Sequence, residues 1–145
     1  MSKPRVLLDA NILISGLVFS GGKEHSVLKM ARDGRIILIV PEFVAWETKR
    51  ILRDKFRNNQ HLLEQYLSHV DYEFVSWGSI VGFLGECSGV LRDMDDNPIL
   101  ASFLAINPDF VLTGDRALRE DLNKYLGTNR AVTSSEFLEM YEGSG

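Results

Sequence analysis

Short apolar runs alternate along the chain with segments in which apolar residues recur at the helical spacing. Runs rich in Val, Ile, Leu and Phe are typical of buried strands, and they are RVLLDA (5–10), RIILIV (35–40), YEFVS (72–76), DFVLT (109–113) and the weaker RAVT (130–133). The helical spacing is found in residues 22–34, 41–56 and 61–70. This alternation predicts an α/β fold, a three-layer α/β/α sandwich with a mainly parallel central sheet.

The composition is that of one ordinary globular domain. The chain has 145 residues, of which 45% are hydrophobic and 25% are charged, so it is long enough to bury a core. We assign residues 1–141 to a single domain and expect the closing EGSG, residues 142–145, to be a flexible tail. Glycines break the periodicity of residues 78–92, whose structure stays open at this point.

Charge and cysteine content exclude several classes of function. A net charge of −4 argues against electrostatic binding of nucleic acid over the whole protein surface, although it allows a local basic patch. The single cysteine, Cys87, excludes an internal disulfide and any metal site built from several cysteines. Because no apolar run is long enough for a signal peptide or a membrane span, we expect a cytoplasmic protein with no membrane association.

The first predicted strand ends in a carboxylate among aliphatic residues. In RVLLDANILISG, residues 5–16, Asp9 interrupts an apolar run, and a buried carboxylate is costly unless something satisfies it. Ligands of open parallel sheets bind at the carboxyl ends of the strands, which is where Asp9 lies. Asn11 would share its face if the strand extended that far. The alternative is that Asp9 caps the next turn or helix.

A second acid follows the second predicted strand. Pro41 marks the opening of a helix, and Glu47 lies roughly 8 Å along that helix, near the same edge of the sheet. Phe43 and Ile51 flank Glu47 one turn away on either side and direct it partly inward. The alternative is a surface ion pair between Glu47 and Arg50.

The third and fourth acids lie at the two ends of a helix, turn and strand. A helix that begins near Asp96 descends roughly 15 Å to a turn at Asn107 and Pro108, and the next strand climbs roughly 16 Å back. Asp115 therefore returns to the edge that Asp96 left. Either acid could instead be a helix cap, with Pro98 in the first turn after Asp96.

Four carboxylates at one edge of a sheet repel one another unless a cation compensates them. Hard divalent ions are the natural partner, because Mg²⁺ and Mn²⁺ prefer oxygen ligands. None of the three histidines stands at one of these positions. The sequence thus predicts a site for one or two Mg²⁺ or Mn²⁺ ions. Its predicted ligands are Asp9, Glu47, Asp96 and Asp115.

The same residues resemble those of the PIN domain family. LLDANILISG, the glutamate of VAWETKRIL, RDMDDNPILA and DFVLTGDRAL occur in the order and approximate spacing of that family, over essentially the whole chain. The sequence is most similar to single-domain prokaryotic PIN proteins, many of which resemble toxins of toxin–antitoxin pairs. The resemblance implies a PIN-like fold and a metal-dependent ribonuclease whose catalytic and metal-binding residues are the four acids above.

The resemblance also implies supporting residues and partners. Asn11 and Thr113 match polar positions that support the acidic cluster, and Ser15 matches a small polar position in the following turn. The implied partners are an RNA substrate, a small antitoxin and a second copy of the chain in a homodimer.

One segment departs from the family pattern. Asn97 and Pro98 stand where relatives often carry another acid and a lysine. Whether Asp93 or Asp95 assists Asp96 is therefore open.

Basic residues that could hold RNA phosphates follow two of the acids. The helix after Glu47 is rich in arginine and lysine, and further arginines follow Asp115. Such charges steer a phosphate backbone. The candidate RNA-binding residues are Lys49, Arg50, Arg53, Arg57 and Arg116. The alternative is a solvated helix face.

Other classes of protein fit less well. A phosphoacceptor receiver domain needs adjacent acids after its first strand and a late lysine, and a phosphatase of the haloacid dehalogenase type would have Asp in place of Asn11. The sequence has no G-x-x-x-x-G-K-[ST] motif for a nucleotide-binding P-loop. The alternative that remains is a PIN-like module that binds RNA or a protein without cutting.

Overall fold

A computed structural model describes residues 3–141 of the chain, so the predicted tail at 142–145 lies outside the described residues. The strands are β1 (Arg5–Leu8), β2 (Ile37–Pro41), β3 (Tyr72–Val75), β4 (Phe110–Leu112) and β5 (Ala131–Val132). The helices are α1 (Ala10–Val18), α2 (Lys23–Arg32), α3 (Glu42–Lys55), α4 (Leu62–Leu67), α5 (Trp77–Ile80), α6 (Asn97–Ile106), α7 (Arg116–Leu126) and α8 (Ser134–Tyr141). Short 3-10 segments occupy Arg57–Asn59, Val81–Cys87 and Met94–Asp96.

The five strands form one parallel sheet in the order β3-β2-β1-β4-β5. In the centre, Val6 is in register with Leu38 of β2 on one side and with Phe110 of β4 on the other. β3 pairs with β2, and β5 pairs with β4. This architecture confirms the predicted α/β fold with a parallel sheet.

Helices cover both faces of the sheet. Parallel crossovers are right-handed, so the steps from β1 to β2 and β3 place their helices on one face and the step from β4 to β5 places α7 on the other. On the first face α1 packs against α2, α3 and α4, and α8 packs against α2. On the second face α6 packs against α5 and the 3-10 segment Val81–Cys87. β1 and β2 are consequently buried along almost their whole length.

The first strand is shorter than the sequence suggested. β1 stops at Leu8, and α1 begins at Ala10. Asn11 is therefore exposed on a helix rather than aligned with Asp9 on a strand, and Ser15 lies within α1 rather than in a turn. The sequence could not show whether this segment continues the strand or begins a helix, because ANILISGLV is apolar on nearly every side and has no clear period.

Two further segments complete the fold. The turn predicted at Asn107 and Pro108 is present, and Asn107 ends α6 in the left-handed conformation, at a φ of 52°, which Asn tolerates better than most residues. Residues 78–92, whose periodicity is broken by glycines, contain the end of α5 and a 3-10 segment whose last residue, Cys87, is fully buried. No helix within residues 3–141 is long and apolar enough to cross a membrane.

Candidate active site

Three of the four predicted acids stand at helix N-termini on the carboxyl edge of the sheet. Asp9 precedes α1, Asp96 precedes α6 and Asp115 precedes α7. The partial positive charge of a helix N-terminus favours an ionised carboxylate. Asp115 also caps its helix, because its Oδ1 accepts a hydrogen bond from the Leu118 amide at 3.1 Å. The side chains of Asp9 and Asp96 make no such capping hydrogen bond.

Thr113 links Asp9 to Asp115. The Asp9 amide donates to the Leu112 carbonyl at 3.0 Å, which sets β1 beside the end of β4. The fully buried Thr113 donates its Oγ1 hydrogen to Asp9 Oδ2 at 2.9 Å and accepts a hydrogen bond from the Asp115 amide at 3.2 Å. One hydroxyl group therefore orients the first carboxylate and fixes the backbone of the second acid.

Burial and mutual repulsion raise the pKa of two of these carboxyl groups. Burial raises the pKa of Asp9, a hydrogen bond from Thr113 opposes this rise, and the charge of Asp115 adds to it. Burial also raises the pKa of Asp96 to about 6, with a further rise from neighbouring aspartates. Those aspartates are Asp93, Asp115, Asp9 and Asp95. Asp9, Asp96 and Asp115 thus lie within electrostatic reach of one another.

Glu47 lies on a separate helix, and its charge is not among those that raise the pKa of Asp9 or Asp96. It is half-buried in the second turn of α3, and α3 packs against α1, the helix that Asp9 precedes. The alternative ion pair with Arg50 is not found among the ion pairs of residues 3–141. The Arg50 guanidinium lies instead over the Trp46 ring, 5.7 Å from its centroid.

The acids offer the oxygen donors that a divalent cation prefers, but they are not arranged as a complete set of metal ligands. Within residues 3–141, no three His, Cys, Asp or Glu side chains are arranged to hold a metal ion. Asp9, Asp96 and Asp115 nevertheless offer only oxygen atoms, and none of them takes part in an ion pair of the described chain. Asn97 follows Asp96 in the chain, and its Oδ1 atom is buried without a hydrogen-bond partner among residues 3–141. This donor set suits Mg²⁺ or Mn²⁺.

Arg92 anchors the loop that carries Asp96, a role that the sequence did not reveal. Its amide and guanidinium donate hydrogen bonds of 2.8–3.2 Å to Asp121, Glu120 and the Ala117 carbonyl, all on α7. Because α7 begins immediately after Asp115, Arg92 ties the loop of Asp96 to the helix that carries the neighbouring acid. A single arginine at the start of the acid-rich RDMDD was the available signal.

The two acids whose role was open differ in the structure. Asp93 Oδ1 accepts a hydrogen bond from the Asp95 amide at 2.9 Å and so shapes the 3-10 turn before α6. Asp95 is exposed. Both carboxylates raise the pKa of Asp96 through their charge, in addition to the larger effect of burial.

The structure does not bring the other supporting candidates into hydrogen-bond contact with the acids. Asn11 is exposed and Ser15 is half-buried on α1. Within residues 3–141, no hydrogen bond joins either side chain to a member of the acidic cluster.

Most of the candidate RNA-binding residues are exposed and partly neutralised. Three of them form ion pairs at the surface, Lys49 with Glu64 at 3.7 Å, Arg53 with Asp54 at 3.0 Å and Arg116 with Glu120 at 3.1 Å. Such exposed pairs contribute little to stability. Arg50 lies over Trp46, and Arg57 begins the 3-10 segment after α3.

Comparisons with known proteins agree with this fold. The family model described as the PIN domain matches residues 5–117. No curated protein matches the chain. Among solved structures, the chain is similar to a chain of the crystal structure of VapBC2 from Rickettsia felis bound to a DNA fragment from their promoter. That match has a TM-score of 0.62 and 16% identity, and it covers 89% of this chain and 96% of the other. The predicted PIN-like fold is thereby confirmed.

Proposed function

The chain belongs to the PIN domain family, and we propose that it is a divalent-metal-dependent ribonuclease that hydrolyses RNA phosphodiester bonds. The observation that carries this proposal is the convergence of Asp9, Asp96 and Asp115, whose charges no arginine or lysine of residues 3–141 neutralises. A binding module has no need to maintain such repulsion.

The residues that would hold Mg²⁺ or Mn²⁺ are Asp9, Glu47, Asp96 and Asp115. When bound, the ion would supply an activated water and charge stabilisation for the leaving oxygen. Thr113 holds Asp9 in a fixed orientation, and Arg92 holds the loop of Asp96 against α7. A bound cation would offset the repulsion between these carboxylates, which contributes to the raised pKa of Asp9 and Asp96.

The basic residues on and after α3 would hold the RNA on the side of Glu47. Lys49, Arg50, Arg53 and Arg57 offer positive charge to the phosphates, and Arg116 would do so beside Asp115. If these residues contact phosphates, their substitution by Ala lowers the affinity for unrelated RNA sequences alike and flattens its salt dependence.

We also propose that the protein is the toxin of a toxin–antitoxin pair, that it forms a homodimer, and that it acts in the cytoplasm. Its family membership and its structural similarity to a chain of the VapBC2 complex support a small antitoxin as partner. Co-expression with the product of a neighbouring small gene should relieve growth arrest caused by this chain. Growth that is unaffected by the chain alone would contradict the toxin role.

The enzymatic proposal is tested by incubating structured and unstructured RNAs with the protein in Mg²⁺, in Mn²⁺ and in EDTA. We expect cleavage with either metal and none in EDTA. Asp9→Asn, purified in parallel, keeps the shape of the side chain but loses the charge, so we expect no cleavage and unchanged or raised thermal stability. Cleavage in EDTA, or at the wild-type rate in Asp9→Asn, would refute the proposal. RNA binding without cleavage would favour the non-cutting module.

A further inference from the structure

Trp46 on α3 is the most exposed aromatic side chain within residues 3–141, with 66% of its surface accessible. It borders a groove of about 510 Å³ between α3 and the start of α4. The groove is also lined by Lys49, Arg50, Arg53, His61 and Glu64. A single exposed apolar residue needs no explanation, but an indole surrounded by basic side chains has the composition of a nucleic-acid contact.

The charges around the groove favour an anionic ligand. Arg50 pairs with no carboxylate of the described chain and lies 5.7 Å from the centroid of the Trp46 ring. The ion pair of Lys49 with Glu64 joins side chains that are 55% and 79% exposed. Because such exposed pairs are weak, a phosphate can replace the carboxylate at little cost. The groove therefore has an excess of positive charge in a chain whose net charge is −4.

The position of the groove relates it to the acidic cluster. Trp46 precedes Glu47 directly, so the two side chains leave α3 on adjacent faces about 100° apart. α3 starts at the carboxyl edge of the sheet, and Trp46 lies roughly 6 Å along its axis. A strand of RNA that lies in the groove can thus continue past Glu47 toward the other acids.

We propose that this groove binds unpaired nucleotides of the RNA substrate, with a base stacked on Trp46 and phosphates contacted by Lys49, Arg50 and Arg53. The inference rests on the proposed ribonuclease function and adds a binding site to it, the Trp46 groove on α3. A free base can stack on an indole whatever its identity, whereas a base inside a duplex is already stacked and paired. The enzyme should accordingly prefer unpaired RNA with little sequence preference at this position.

The experiment measures RNA binding in EDTA, where cleavage does not interfere. The probes are a short oligoadenylate, a duplex of the same length, and an abasic oligonucleotide that keeps the phosphates but lacks the bases. Trp46→Ala should weaken binding of the oligoadenylate about tenfold, with little effect on the other two probes. Trp46→Phe, which keeps a smaller ring, should lie between Trp46→Ala and wild type.

Trp77 supplies the matched control. It is the only other tryptophan of the sequence, and it is 37% exposed and packs edge-on against Phe43 at 6.1 Å. Trp77→Phe should bind as wild type does, and oligoadenylate should quench the emission of the single remaining indole, Trp46. With Mg²⁺ or Mn²⁺, Trp46→Ala should raise the KM for unpaired RNA about tenfold and leave kcat unchanged.

The outcomes separate this inference from the proposed function. Undiminished binding by Trp46→Ala, or no quenching in Trp77→Phe, would overturn the stacking site, while metal-dependent cleavage would leave the ribonuclease standing. Binding that depends on Trp46 in a protein that cleaves nothing would support the groove and refute the enzyme. Self-association lost in Trp46→Ala, without RNA binding, would identify the groove as a protein interface and overturn the inference.

Discussion

Acidic residues at the two edges of the central sheet have opposite electrostatic surroundings. Toward the amino edge, the Arg5 guanidinium donates hydrogen bonds to both oxygens of Glu73 at 2.7 and 2.9 Å, and its amide donates to Asp109 at 2.7 Å. The hydrogen bonds from Arg5 lower the pKa of Glu73. At the carboxyl edge, burial and then repulsion raise the pKa of Asp9 and Asp96.

The difference does not come from a lack of basic residues near the acids in the sequence. Arg92, Arg116 and Arg119 each stand close to one of the acids along the chain, yet they bind elsewhere. Arg92 and Arg116 pair with acids of α7, and Arg119 donates to the Thr113 carbonyl at 2.9 Å. Acids at the amino edge are thus neutralised by an arginine of the chain itself, whereas Asp9, Asp96 and Asp115 at the carboxyl edge form no ion pair within residues 3–141.

The largest expected effect is the difference in activity between equivalent substitutions at the two edges. Asp96→Asn and Glu73→Gln each replace a carboxylate by an amide of the same shape. Asp96→Asn should lower metal-dependent RNA cleavage at least about 100-fold, because it removes a proposed metal ligand. Glu73→Gln should keep cleavage within about twofold and cost roughly 0–1 kcal/mol of stability. Initial cleavage rates measure the activity of each variant, and thermal melting measures its stability. Similar losses of activity in the two variants would contradict the functional difference between the edges.

The next effect concerns the hydroxyl group that orients Asp9. Thr113→Val keeps the size of the side chain but removes the hydrogen bond to Asp9, so the affinity for Mn²⁺ should fall about 10- to 100-fold. Thr133 provides the control, because its Oγ1 accepts a hydrogen bond from the Glu136 amide at the start of α8. Thr133→Val should cost about 1 kcal/mol of stability and leave Mn²⁺ affinity unchanged. Wild-type affinity in Thr113→Val would show that Asp9 needs no such support.

A smaller effect is expected from Arg92, which acts on the acids through the loop and α7. Arg92→Ala removes the donor of this contact and Asp121→Ala removes its main acceptor, and each should lower kcat about tenfold without changing the RNA affinity. Because both act through one contact, the double variant should be little worse than either single variant. Additive losses would assign the two residues independent roles.

The smallest effect is on stability and follows from the raised pKa of Asp96. Its carboxyl group has a pKa of about 6 in the fold and 3.8 as the ordinary value. The stability associated with protonated Asp96 is therefore fully present below pH 3.8 and is lost as the pH rises through 6. In EDTA, Asp96→Asn should gain stability over wild type by on the order of 1 kcal/mol between these pH values, after allowance for solvent screening. Urea titrations at several pH values measure this difference, and a gap independent of pH would argue against the repulsion.

Much of the fold could be predicted because strands and helices leave distinct periods in the sequence. Four of the strands, α2, α3 and α4 lie within the segments that their patterns indicated, and β2 extends one residue beyond its segment, to Pro41. α1 could not be recognised, because its apolar residues occupy nearly all sides of the helix and carry no period. The 3-10 segment Val81–Cys87 could not be predicted, because glycines interrupt the periodicity of residues 78–92. In the structure this segment packs against α6.

The proximity of Asp96 and Asp115 could be predicted because a helix and a strand of known rise return the chain to the edge it left. The resemblance implied that Thr113 supports the acidic cluster, but the atoms through which it orients Asp9 could not be predicted. The hydrogen bond from Thr113 to Asp9 joins residues 104 positions apart, and the Arg92 anchor depends on how α7 packs beside the loop. Both depend on tertiary packing, which no local pattern encodes.

The most direct measurement is a titration of Mn²⁺ into the protein followed by electron paramagnetic resonance of the free ion. Wild type and Glu73→Gln should bind Mn²⁺ with the same affinity, because the amino edge is already neutralised by Arg5. Asp9→Asn should bind at least about 100-fold more weakly, since it removes one of the unneutralised carboxylates at the carboxyl edge. Equal Mn²⁺ affinity in Asp9→Asn and wild type would contradict the assignment of this edge as a metal site.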